Sequence, residues 1–110
     1  EATSEKGALA WHLDGRVAAV VGTHTHVPTS DCKVLPEGTG FVTDLGMVGA
    51  VDSILGVEVE GSLERFLTNR RQRMQPVRSG LINFNSVLID IDSSTGLATS
   101  VERVDRQIEV

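Results

Sequence analysis

The sequence predicts an α/β fold with a mixed sheet and a C-terminal β-hairpin. A short valine-rich run, residues 17–21, is typical of a buried strand. Helical patterns lie on both sides of this run, and two alternating segments separated by a turn close the chain. With 110 residues, the chain has the length of one small domain, so we expect residues 1–110 to form a single domain.

The first part of the chain is predicted to run from helix to strand to loop to strand. Residues 4–12 have an apolar side and are followed by an Asp-Gly pair, which is typical of a helix and its stop. The run 17–21 is predicted to be buried on both faces, and such a strand expects parallel neighbours. Residues 28–38 carry proline, glycine and aspartate and are predicted to form a loop. Residues 40–44 are predicted as a second short strand.

The second part of the chain is predicted to end in antiparallel strands. Residues 45–56 contain three glycines and no clear period, which indicates a structured loop. Residues 62–71 are predicted to be helical, with Ser62 as the N-cap. Residues 81–92 and 98–110 alternate on either side of a turn and predict a hairpin. The apolar face of the predicted helix, at i, i+3 and i+4 spacing, consists of Leu63, Phe66 and Leu67.

The composition is that of a globular protein and argues against membrane-spanning and nucleic-acid-binding classes. The chain is 40% hydrophobic and 23% charged, as expected of an ordinary globular domain, and has no apolar stretch long enough to cross a membrane. Its formal net charge of -5 argues against binding to double-stranded nucleic acid. The arginine cluster at residues 70–78 is interpreted as a solvated helix end. The single Cys32 excludes an intramolecular disulfide and fits a cytoplasmic location.

His24 and His26 form the sharpest chemical feature of the sequence. In a strand, residues i and i+2 point to the same face, so two imidazoles there could bind one metal ion or bridge a pair. Neutral imidazole is a good ligand for Zn, Mn, Fe and Co. Taken alone, such a pair more often consists of ordinary surface or core histidines, and its position after a predicted buried strand favours metal binding. A metal centre needs three or four protein ligands, and His12 is the only other histidine, so the pattern accounts for half a site.

The segment of residues 20–27 resembles the last motif of the calcineurin-like metallophosphoesterase superfamily, usually written Gly-His-x-His. The chain is most similar to the C-terminal part of the YmdB-like branch, and the resemblance covers almost its whole length. Thr23 directly precedes His24 where the general motif has glycine, as is usual in this branch. The stretches that carry the resemblance are residues 1–6, 14–16, 22–27, 35–39, 43–47, 54–56 and 87–92.

The resemblance implies a fold and a metal centre. The chain would be the C-terminal portion of a four-layer α/β/β/α sandwich that holds two divalent metal ions, Fe or Mn. His24 would bind one ion and His26 the other. The remaining ligands and the catalytic histidine would lie outside the chain, which leaves no catalytic residue within it. Thr23 and Asp44 would line the pocket or support the ligands, although Asp44 could equally cap a turn.

The resemblance also implies a reaction, namely metal-dependent hydrolysis of a small phosphodiester, with 2′,3′-cyclic nucleotides as the expected substrates. Expected partners are the N-terminal part of the same enzyme and further copies of the chain in a homo-oligomer. One alternative is a non-catalytic α/β module with an inert histidine pair, in which the C-terminal hairpin serves oligomerisation. Another is a capsule-synthesis-type relative, against which the stretch of residues 43–47 argues.

Overall fold

The computed structural model describes residues 1–110. Contacts divide the chain into two compact units: one of Glu1–Gly46 and Asn85–Asp105, the other of Met47–Phe84 and Arg106–Val110. The predicted mixture of helices and small sheets with a C-terminal hairpin is confirmed. None of the helices has the length and apolar character needed to cross a membrane. The single-domain organisation stays a prediction.

The first unit is built on a mixed three-stranded sheet. Helix α1 (Thr3–Leu13) precedes strands β1 (Ala19–Val21), β2 (Lys33–Val34) and β3 (Gly40–Val42). Strand β3 lies in the centre, parallel to β1 and antiparallel to β2, and all three of its residues are buried. Ala10 of α1 packs in the core below this sheet. The core therefore joins α1 to this sheet and includes Phe41 of β3 and the partly buried Val20 of β1.

Helix α1 confirms the first predicted element. A carboxylate oxygen of Glu5 accepts a hydrogen bond of 3.0 Å from the backbone N–H of Ala2, which satisfies one donor at the start of the helix. At the other end, the Asp14 carboxylate accepts hydrogen bonds from the N–H groups of Glu37 and Thr39, at 2.9 and 3.1 Å. Asp14 thus fixes the end of the helix against the turn that leads into β3.

The prediction that residues 17–21 form a strand buried on both faces is wrong for β1. Ala19 and Val20 are half-buried, and Val21 is 46% exposed. The reason is that β1 pairs with β3 alone, so one of its edges has no neighbouring strand. The predicted loop of residues 28–38 is also corrected, because it contains the short strand β2.

The C-terminal hairpin forms from only half of the predicted segments. Strand β6 (Val87–Ile91) pairs antiparallel with β7 (Ala98–Arg103) in the first unit. Residues 81–84 were expected in the same strand as β6, but they form β5 in the other sheet. The predicted strand of residues 81–92 is interrupted between Phe84 and Val87. In this gap the Ser86 hydroxyl donates a hydrogen bond of 2.7 Å to the carbonyl oxygen of Val104.

The second unit contains a three-stranded antiparallel sheet and one helix. The sheet has the order β4-β5-β8, with β4 at Val48–Ala50, β5 at Leu81–Phe84 and β8 at Arg106–Glu109. Strand β4 corrects the prediction that residues 45–56 form only a loop. The regular backbone pairing with β5 overrides the glycines of this segment.

The prediction that Ser62 is the N-cap of helix α2 (Val59–Thr68) is wrong. The helix begins three residues before Ser62, which is 2% exposed and lies inside it with no hydrogen-bond partner for its hydroxyl. The predicted apolar face is present but uncovered: the exposed fractions of Leu63, Phe66 and Leu67 are 49%, 81% and 83%.

Candidate metal centre

The two histidines lie in a loop, residues 23–26, that follows β1 and that we call the His loop. Its backbone is not extended: φ is 111° at His24 and 68° at His26. His24 and His26 are therefore not part of a strand, and strand alternation does not apply to their side chains. A positive φ is costly for a residue other than glycine, so the surrounding structure must hold the loop in this conformation. Both histidines are exposed.

Asp44 is the main anchor of the His loop. It follows β3 closely and is 1% exposed. Its Oδ2 accepts hydrogen bonds from the backbone N–H and the hydroxyl of Thr25, at 2.8 and 2.7 Å. Its Oδ1 accepts a third from the N–H of Gly46 at 2.8 Å. The carboxylate thus holds Thr25, the residue between the two histidines, and it also fixes the turn from Asp44 to Gly46.

Lys6 of α1 provides a second anchor. Its Nζ lies 3.6 Å from Oδ2 of Asp44, and its side chain is 10% exposed. The ammonium group also donates a hydrogen bond to the carbonyl oxygen of Thr23, the residue before His24. A buried lysine is rare unless it is paired, and these two contacts compensate the charge. Helix α1 is therefore connected directly to the His loop.

The environment of Asp44 keeps its carboxyl group ionised. Burial raises the pKa of Asp44, but the hydrogen bonds from Gly46 and Thr25 and the positive charge of Lys6 outweigh this effect. The result is a pKa below the ordinary value of an aspartate. At neutral pH, Asp44 is thus an acceptor for all three hydrogen bonds.

A second carboxylate supports the same region from the neighbouring loop. Asp31 accepts hydrogen bonds from the hydroxyl of Thr29 at 2.6 Å, from the N–H of Thr43 at 3.1 Å and from the Thr43 hydroxyl. Burial raises the pKa of Asp31, but these hydrogen bonds outweigh it and lower the pKa below its ordinary value. The Thr29 hydroxyl also accepts a hydrogen bond from the N–H of Asp44 at 2.9 Å, so the two networks are joined.

Arg103 ties these loops to the hairpin. Its guanidinium donates hydrogen bonds to the carbonyl oxygens of Thr29 and Leu45, at 3.2 and 2.7 Å. The same group pairs with Asp105 at 2.8 Å. The planar fork of arginine suits such simultaneous contacts. Strand β7 therefore helps to hold the segment that carries Asp44.

A cleft of about 680 Å³ opens beside the His loop. Lys6, Thr23 and His24 are among the residues that line it, together with apolar side chains of α1 and β1. Thr23 lines this cleft, and its role beside a metal site stays a prediction. Asp44 does not line this cleft; its contacts with Thr25 and Gly46 make it an anchor of the loop and a cap of its own turn.

The histidine, cysteine and carboxylate side chains of this chain do not by themselves form a metal centre. No group of three or more histidine, cysteine, aspartate or glutamate side chains lies close enough together to hold a metal ion. Asp31 and Asp44 use their oxygens in the hydrogen bonds described above, and His12 is exposed on α1. His24 and His26 are exposed donors, and a metal centre that used them would need further ligands from outside these residues.

Sequence reasoning missed Lys6 and Arg103 as parts of this region. A signal for Lys6 was present, since Lys6, Ala10 and Leu13 share one face of α1 at i, i+4 and i+7, and Ala10 is fully buried. A lysine on a buried face indicates a paired charge. Arg103 had no comparable signal, because its carbonyl partners are 58 and 74 residues away along the chain.

Comparisons with known proteins found a family match over almost the whole chain. A family model described as "YmdB-like protein" matches residues 1–104. A Bacillus subtilis (strain 168) protein named "2',3'-cyclic-nucleotide 2'-phosphodiesterase" is 51% identical over 104 residues, covering 94% of this chain and 39% of that protein. The chain thus spans about two fifths of the length of this relative.

Two solved structures have the same fold as this chain. A crystal structure of a hypothetical protein from Thermus thermophilus has a TM-score of 0.88 at 46% identity, covering 97% of this chain and 41% of that one. A crystal structure of a novel phosphatase from Mycoplasma pneumoniae has a TM-score of 0.87 at 32% identity, covering 99% of this chain and 39% of that one.

Proposed function

This chain belongs to the YmdB-like family, and we propose that it supplies two metal ligands, His24 and His26, to the centre of a phosphodiesterase. The observation that carries the proposal is the conformation of the His loop. Both histidines have positive φ, and a buried, ionised Asp44 holds the residue between them. Strain of this kind persists where the surrounding structure enforces it, and it clusters at functional sites.

The metal we propose is a pair of divalent ions, Fe or Mn, with His24 bound to one and His26 to the other. Imidazole nitrogen suits both metals. When bound, such ions supply Lewis acidity that activates water and neutralises charge on a phosphate. Asp44 acts through Thr25, whose backbone it fixes, and so limits the directions that both imidazoles can take.

The remaining ligands and the catalytic histidine are proposed to come from the N-terminal part of the same enzyme. The chain would then form the C-terminal portion of a four-layer α/β/β/α sandwich. Two observations support this arrangement: β1 has a free edge beside the His loop, and the cleft there is lined by Val20 and Val21. A further strand at this edge would bury the valines and bring new side chains to the loop.

We infer that the substrate is a small phosphodiester, with a 2′,3′-cyclic nucleotide as the first candidate. The support is the name of the Bacillus subtilis relative. The lone, free Cys32 is in keeping with a cytoplasmic enzyme. The relatives do not favour the alternative of a non-catalytic oligomerisation module.

A chimera tests the proposal. Residues 1–104 of this chain would replace the matching segment of the Bacillus subtilis relative, and hydrolysis of a 2′,3′-cyclic nucleotide would be followed with added Mn²⁺. We expect an active chimera that loses at least about a hundredfold in kcat/KM on His24→Ala or His26→Ala, since each removes a metal ligand. His12→Ala is the matched control and should leave the rate unchanged. A fully active His26→Ala chimera would refute the assignment.

A further inference from the structure

The ammonium group of Lys6 contacts the His loop directly and also contacts Asp44, the anchor of that loop. It pairs with Asp44 at 3.6 Å and donates to the carbonyl oxygen of Thr23. A lysine whose only role was to pack α1 against the sheet would need contacts with β1 alone. Lys6 instead contacts the residue that precedes His24 and the carboxylate that anchors Thr25. Its two partners therefore restrain the backbone on both sides of His24.

This restraint matters because the His loop is strained. The positive φ values at His24 and His26 would relax if the backbone were free to move. Asp44 holds Thr25, but without Lys6 its carboxylate would lose the one positive charge beside it, and the Thr23 carbonyl would lose its donor. The segment before His24 would then be fixed only by the bonds at Gly22, whose N–H donates to the carbonyl oxygen of Val42 at 3.0 Å.

We propose that Lys6 is a positioning residue that holds the His loop in its ligand-presenting conformation. This inference rests on the proposed function, because it concerns the same two imidazoles. Lys6 contacts neither histidine in the hydrogen bonds described and acts through Thr23 and Asp44. Groups that orient metal ligands typically change metal affinity by about 10- to 100-fold when they are removed. We therefore expect Lys6 to set the affinity of the site as well as the order of the loop.

The first measurement is amide hydrogen exchange in the metal-free 110-residue protein. Lys6→Met keeps much of the length and apolar stem of the side chain but removes the charge and every donor. We expect the Thr25 amide to exchange at least about tenfold faster, while the amides of β3 keep their wild-type protection. Loss of protection throughout the first unit would mean that Lys6 serves general stability only, and would overturn the proposal.

The second measurement is a Mn²⁺ titration of the chimera with the Bacillus subtilis relative, which supplies the remaining part of the enzyme, followed by paramagnetic broadening of the imidazole proton signals. We expect Lys6→Met to need about 10 to 100 times more Mn²⁺ to broaden His24 and His26. Lys6→Arg should recover most of the affinity, because the guanidinium can donate to both partners. Lys33→Met is the matched control: Lys33 is exposed and lies 5.9 Å from the Trp11 ring, remote from these contacts.

The outcomes separate this inference from the proposed function. If Lys6→Met keeps the wild-type Mn²⁺ dependence and the wild-type exchange rate of the Thr25 amide, the role of Lys6 is overturned and the histidine assignment stands. Absence of broadening in the chimera without substitutions would contradict the proposed function, and Thr25 exchange would still decide whether Lys6 orders the loop. If Lys6→Met does not fold, Lys6→Gln, which retains a donor for the Thr23 carbonyl, takes its place in both measurements.

Discussion

Replacement of Asp44 by asparagine should destabilise the protein strongly, although the two side chains have the same shape. Asp44 is 1% exposed and accepts three hydrogen bonds, two on Oδ2 from Thr25 and one on Oδ1 from Gly46. An asparagine amide has one acceptor oxygen, and its NH₂ group is a donor. Whichever way the amide turns, its NH₂ faces a buried donor, and at least one hydrogen bond is lost.

The magnitude follows from these contacts. A hydrogen bond to a charged acceptor is worth roughly 1.5–3 kcal/mol, and the asparagine also leaves Lys6 without its counter-charge, so we expect a loss of about 3 kcal/mol. The assay is urea denaturation at pH 7, followed by circular dichroism. Asp52→Asn is the matched control, because Asp52 is exposed, and should change the free energy of unfolding by less than about 0.5 kcal/mol.

The prediction fails if the Asp44→Asn protein is as stable as the control. Such a result would mean that Asp44 is not an ionised anchor of the loop. A double-mutant cycle with Lys6→Met sharpens the test, since residues in direct contact show coupling energies of about 0.5–3 kcal/mol. Additive effects of the two substitutions would show that the ion pair contributes nothing to stability.

Three further predictions concern the same region. Gly22→Ala should prevent stable folding, because its Cβ would lie 1.8 Å from the carbonyl oxygen of Thr43, whereas Gly61→Ala, with open space in α2, should stabilise by roughly 0.5–1 kcal/mol in thermal denaturation. The stability that Asp44 contributes should be present above the pKa of an unfolded aspartate, about 3.9, and should be lost as the pH falls through the lower folded pKa. Urea denaturation from pH 7 to about pH 2.5 measures this: the difference in midpoint between the wild-type and Asp44→Asn proteins should close only in that acid range. Arg103→Lys should cost about 2 kcal/mol in urea denaturation, because one ammonium group cannot replace a fork that reaches two carbonyl oxygens and a carboxylate; an unchanged midpoint would contradict this role.

The sequence predicted the elements with strong local signals. Helix α1 has an apolar side and an Asp-Gly stop, and strand β3 is a short apolar segment between polar residues; both lie close to their expected positions. The start of α2 was misplaced because Ser62 has the chemistry of an N-cap, yet the helix begins at Val59. Strand β4 was missed because its pairing with β5, far along the chain, overrides a glycine-rich local signal.

The candidate site was predicted in part, for a similar reason. The identity of the His24–His26 pair is visible in the sequence, but the conformation of the loop is not. That conformation depends on Asp44, 19 residues from its partner Thr25, and on Lys6, 17 residues from its partner Thr23. No local pattern encodes such pairings, whereas the resemblance to a known family found the histidines because their motif is contiguous.

Metal binding by the two histidines is tested most directly by a Mn²⁺ titration of the chimera in which the ring signals of His12, His24 and His26 are observed. His12 is an internal control on α1, exposed like the other two. If His24 and His26 are metal ligands, their imidazole signals will broaden together at low Mn²⁺, while the signal of His12 stays sharp. Equal broadening of all three signals, or of His12 first, would mean that the His loop has no special affinity for metal and would contradict the account.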